Sequence, residues 1–270
     1  MRLKVFVAAA LSLAAPVAAQ RDESMGALAP AVQAALDRGA LLYLFDEAAW
    51  HGTDDVTDHF AELMPLAGGY VVSGEQADIE LAFYDKAKSR ALYRAKFADQ
   101  KMISSGPPAA DRVALTLVEQ RLIAARTPAL KAFEDAKVGI CSKSKPNIAL
   151  LPPTDPTGPV RAYLMTPRTS MKSLPMGGHF EVDVSDDGKA GPVRAFTKSC
   201  LEMSLAGEGK GKSAALVVGH LLDPTPTEIH VFSSMSGVIP IYVITTSNKR
   251  TWVVEGSRIR LLPSTPTAKR

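Results

Sequence analysis

Only two of the 270 residues are cysteine, Cys141 and Cys200. That scarcity excludes a miniprotein stapled by several disulfides, and with no Cys-X-X-Cys pair it also excludes the thioredoxin type of redox chemistry. Aromatic residues make up 6% of the chain, and Lys and Arg gather only in short pieces such as 143–145 and 210–212. Neither a stacking groove for nucleic acid nor a polybasic membrane patch is therefore indicated. The GxSxG nucleophile elbow is missing. Ser142 and Lys145 have the SxxK spacing of penicillin-recognising enzymes, but Pro146 follows directly and forbids the helix that would align them.

Long apolar runs are also scarce, and the one present stands at the start. Arg2 and Lys4 lead an uncharged apolar stretch over 5–17 that ends on the small residues Val17, Ala18 and Ala19. This pattern predicts a secretory signal peptide over 1–19, with Gln20 as the first residue after cleavage. The run falls short of the roughly 20 residues needed to cross a bilayer. No cysteine near the cleavage point could carry a lipid, so the expectation is an exported protein, periplasmic or extracellular, without stable membrane anchoring. Removing Arg2 and Lys4 leaves 29 basic residues against 28 acidic ones, a net charge of +1. In an oxidising compartment the even cysteine pair predicts one bridge between Cys141 and Cys200, which in the loop-entropy account adds about 4 kcal/mol of stability.

Within the mature chain, Leu28, Val32 and Leu36, with Pro30 early and Gly39 after, predict a short helix over 28–37. The continuous apolar run 41–45 is assigned to a buried strand leading into a helix near Glu47. Four apolar pieces between 69 and 103, separated by polar turns, predict an antiparallel meander. A helix is expected over 109–137, interrupted at Pro128. Five prolines between 138 and 159 mark a connector, dividing an N-terminal unit (20–137) from a β-rich C-terminal unit (160–262). In the second unit the apolar pieces at 160–165, 179–184, 193–196, 214–222, 228–232, 239–245 and 251–254 all read as strands. Hairpin turns are expected at 186–188 and 247–249, and the tail 263–270 is expected to be disordered. The fold class is α+β: mostly antiparallel sheets with packed helices, arranged as two small subdomains. Gly68-Gly69 and Gly177-Gly178 each open a strand, but nothing else in the halves aligns as a repeat.

The chemical motifs are weak. Residues 206–213 form a relaxed phosphate loop, yet the flanking pieces lack the strand, helix and distal acid of a nucleotide site, so no nucleotide is expected. Asp183, Ser185, Asp187 and Gly188 match the first half of a calcium loop, but Arg194 stands where a bidentate Glu is needed. The one dense cluster of metal-capable side chains is His51 to His59. If helical, it would place His51, Asp55 and His59 on one face, with Asp54 or Asp58 beside them, and these could hold zinc. A helix starting at Thr53 would instead dissolve that face. His179, His220 and His230 lie in apolar surroundings and read as structural. The sequence therefore points to a non-catalytic envelope binding or scaffold protein without a cofactor, using its sheet surfaces on an unknown protein or small-molecule partner. The alternative is a zinc-dependent hydrolase built on His51, Asp55 and His59.

Overall fold

The computed structural model describes residues 17–206, 211 and 213–263, with side chains from residue 26 onward. The leader's apolar run, most of the phosphate-loop motif and the tail from 264 lie outside these residues. The chain begins with one helix, α1 (Val17–His59), of 43 residues. This corrects two expectations: the helix does not stop at Gly39, and 41–45 is not a strand. Leu42, Phe45 and Ala48 are buried at helical spacing, while Leu41 and Leu44 on the flanks pack against the same cluster. A helix covered on more than one side loses the polar stripe that would have revealed its period. Gly39 is a contact notch, since a Cβ there would sit 2.5 Å from Val231 Cβ.

The expected meander follows as β1 (Ala67–Glu75), β2 (Asp78–Asp85), β3 (Ala91–Ala98) and β4 (Lys101–Gly106), antiparallel in chain order. Strand β2 is buried on both faces. Its Leu81 and Phe83 share a cluster with α1, whereas Ala82 and Tyr84 share one with the next helix. That helix, α2 (Leu117–Asp135), starts later than predicted, at a capping box in which Thr116 and Glu119 satisfy each other's backbone donors. It also runs through Pro128 unbroken. The carbonyl that Pro128 leaves without a donor belongs to exposed Ala124, where water can take its place.

The proline-rich segment is more than a connector, because it contributes a strand. β5 (Asn147–Leu151) pairs with β6 (Val160–Met165), which pairs with β8 (Phe180–Val184) and then β9 (Arg194–Ala195), all antiparallel. Two short strands, β7 (Ser173–Pro175) and β10 (Glu202–Ser204), form a separate pair. Cys141 and Cys200 are joined by the expected disulfide, with Cα atoms 5.4 Å apart. Gly178 lies beside it at φ +72°, and a Cβ there would come within 2.7 Å of the Cys141 sulfur.

The C-terminal sheet has the order β11 (Leu216–His220), β12 (Ile241–Thr245), β13 (Arg250–Glu255), β14 (Arg258–Leu261). The pair β11 and β12 is parallel, an exception to the antiparallel expectation. Parallel neighbours need a crossover, and it is supplied by α3 (Glu228–Gly237), where the strand over 228–232 was expected. Nearly every residue at its start is buried, which again removes the polar face that marks a helix. The predicted turns are present, with Gly188 at φ +77° and Lys249 at φ +55°. The core does not divide at the connector. One cluster joins α1 and the first sheet to Leu151, Tyr163, Phe196 and Ile229, and another places α2 between the first sheet and β5, β6 and β8.

Candidate binding cleft

The helix runs through Thr53, so His51, Asp55 and His59 do share the face that their spacing implies. They do not converge. Eight residues of helix separate the two imidazoles by about 12 Å along the axis, too far for one ion bound at about 2 Å. His51 instead pairs with Glu47 at 3.6 Å and stacks on Trp50. Asp55 accepts a hydrogen bond from the Tyr93 hydroxyl at 2.6 Å and lies 3.1 Å from His59 Nδ1. Among the described residues, no group of three or more His, Cys, Asp or Glu is placed to hold a metal ion.

The other motifs resolve into structural roles. In the calcium-like turn, Asp183 is held by Arg161 at 2.8 Å, and Arg194 donates to Glu181 and Asp223. Before the phosphate-like loop stands antiparallel β10, and after it comes strand β11 rather than a helix. Residues 142–145 form no helix.

The three histidines were read as isolated, yet two belong to a buried polar network at the start of α3. His220 Nε2 lies 2.9 Å from Asp223 Oδ2, and Asp223 also accepts from Arg194 at 2.8 Å. Burial works to raise the Asp223 carboxyl, but these two partners hold it below the usual carboxylate range. His230 packs edge-on against His220, and its Nδ1 accepts the Thr227 backbone N–H at 3.0 Å, closing the helix cap. Burial pushes the His230 imidazole down to about 3 and that of His179 down to about 4, so both stay neutral. Glu228, only 1% exposed, accepts from Arg38 at 2.8 Å and from the Tyr163 hydroxyl at 3.0 Å. Its charge also sits at a helix N-terminus, where the backbone N–H groups favour an anion. Each of these acids has a cation or hydroxyl partner.

A different arrangement lines the cleft where α1, β1, α2 and β5 meet, a partly open space of about 30 Å³. Phe45, Ala49, Val72 and Leu150 give it apolar walls, and Asp46, Tyr70, Arg126 and Asn147 its polar groups. Asp46 accepts one hydrogen bond, from Asn147 Nδ2 at 3.2 Å. Burial, reinforced by the neighbouring Glu47 charge and opposed by Asn147, pushes the Asp46 carboxyl up to about 6. The Arg126 guanidinium stands 5.7 Å from the centre of the Tyr70 ring. Among the described residues, neither Asp46 nor Arg126 meets an opposite charge within 4 Å, unlike the paired charges around Glu228. A larger groove of about 410 Å³ runs past Arg94, Arg112, Glu80 and Glu119, but those four charges neutralise one another.

Sequence reasoning missed both cleft charges. The available signal was a charge on the buried stripe of a helix: Asp46 beside Phe45 and Ala49, and Arg126 between Leu122 and Ala129. Comparison with protein-family models, curated proteins and solved structures finds no match.

Proposed function

We propose that this is an exported, non-catalytic binding protein that takes a small ligand in the cleft between edge strands β1 and β5. One observation carries the reading: Asp46 and Arg126 face the same cleft without charged partners, while the titratable groups around α3 are closed into pairs. A desolvated charge left without a partner costs stability, and a site that receives a charged ligand has a reason to keep it. Export is supported by the leader pattern and by the Cys141–Cys200 disulfide. No described helix is long and apolar enough to cross a membrane. The hydrolase alternative finds no support, because His51 is engaged with Glu47 and stands about two helical turns from His59, which pairs with Asp55.

Amide chemical-shift mapping tests the reading. The mature chain is titrated to millimolar concentration with glycine, acetate, methylamine and glucose. At least one compound is expected to give saturable shifts confined to β1, β5 and the turn of α1 around Asp46, without being converted. Shifts centred on another surface, or none with any compound, would refute it.

A further inference from the structure

The cleft presents one anion and one cation to the same small volume. Asp46 comes from α1 and Arg126 from α2, and they are not joined as an ion pair. A ligand with a single charge would satisfy one of these groups and leave the other without a charged partner. A neutral ligand would satisfy neither. Both cases keep a buried or half-buried charge uncompensated, which is the costly condition in a water-poor site.

From this complementarity we infer that the cleft binds a small α-amino acid as its zwitterion, the ammonium group on Asp46 and the carboxylate on Arg126. The inference rests on the ligand-binding reading above and names the ligand class for the same site. Guanidinium suits a carboxylate because its planar fork can donate two parallel hydrogen bonds, and carboxylate oxygens are the natural acceptors for an ammonium group. The Asn147 side chain already donates to Asp46, which orients that carboxylate, and the Tyr70 ring supports Arg126 from one side. Tyr70 lies within the field of both charges. Burial raises its hydroxyl, while Arg126 opposes the shift and Asp46 adds to it. Tyr70 thus lines the same cleft as both charges.

Size and wall chemistry narrow the class. The cleft is partly open and its inner volume of about 30 Å³ has room for about two or three water molecules, so a ligand can seat its charged ends there but not a bulky side chain. Phe45, Ala49, Val72 and Leu150 offer no hydrogen bond through their side chains, so the variable part of the ligand should be hydrogen or a small alkyl group. Glycine and L-alanine are the smallest zwitterions of this class.

Calorimetric titration of the mature protein decides the matter, with glycine and L-alanine set against acetate, propionate, methylamine and ethylamine. The amino acids are expected to bind with one-to-one saturation, and each analogue lacking one charge to bind at least tenfold more weakly. Arg126→Gln should weaken amino-acid binding at least tenfold and leave ethylamine unchanged. Asp46→Asn should weaken it equally and leave propionate unchanged. Circular dichroism checks that both variants fold. If a single-charge analogue binds at the cleft as tightly as L-alanine, the zwitterion assignment falls while the ligand-binding reading stands. If none of the six gives heat and none moves the cleft amides, both fall together.

Discussion

Asp46 and Glu228 show how differently two carboxylates on helices can be placed. Glu228 is buried against Arg38 and Tyr163, and its charge is matched. Asp46 is shielded from water with only an amide partner, so its folded-state pKa of about 6 lies above its ordinary 3.8. A raised carboxyl pKa means that the native state takes up a proton more readily than the unfolded chain, so Asp46 costs stability as pH rises from about 4 through 6. Asp46→Asn keeps the shape and removes that cost. Its thermal midpoint should exceed the wild type's by about 2–4 °C at pH 7.5, and the difference should vanish near pH 4. A lower midpoint at pH 7.5 would show that the carboxylate is structurally required. Neither role was legible from sequence. Asp46 read as the junction between a strand over 41–45 and a helix near Glu47, which hid that it shares a helical stripe with Phe45 and Ala49.

At the scale of elements, what was legible followed burial. The β1 to β4 meander pairs in chain order and turns as its residues imply, because polar turns separate its pieces. Helix α2 was legible as a helix, but its start at the Thr116 and Glu119 capping box was not, since it was expected from 109. The failures were the middle of α1 and the whole of α3, both packed on more than one side and so without an amphipathic signature. The two helices cross at Gly39, where a methyl group would meet Val231 Cβ at 2.5 Å and the Glu228 carbonyl oxygen at 2.7 Å. Gly39→Ala should therefore destabilise the protein. Overpacking costs about 1–3 kcal/mol, which outweighs the roughly 1 kcal/mol that alanine gains over glycine in a helix. Gly26→Ala in the same helix meets nothing within 4 Å and serves as the control, expected to be neutral or stabilising. Urea unfolding midpoints that rise equally for both variants would refute the close crossing.

For the whole molecule, the α+β class and the disulfide were within reach of the sequence, since each depends on local pattern or on counting. The assembly was not. The cleft is made by α1, β1, α2 and β5, whose cleft residues lie up to about a hundred positions apart, and no local periodicity reports that they meet. The same holds for the core, where α1 packs with the first sheet and also with Tyr163, Phe196 and Ile229 from the second half. The arrangement explains how the protein could leave two opposite charges unpaired and remain folded. The extensive shared core and the Cys141–Cys200 bridge supply the stability that the cleft forgoes. Diffraction from crystals of the mature protein soaked in L-alanine tests this account most directly. Density for one amino acid is predicted in the cleft, its nitrogen within hydrogen-bond distance of Asp46 and its carboxylate on Arg126. A vacant cleft at a concentration that saturates binding in solution, with L-alanine seated elsewhere, would contradict it.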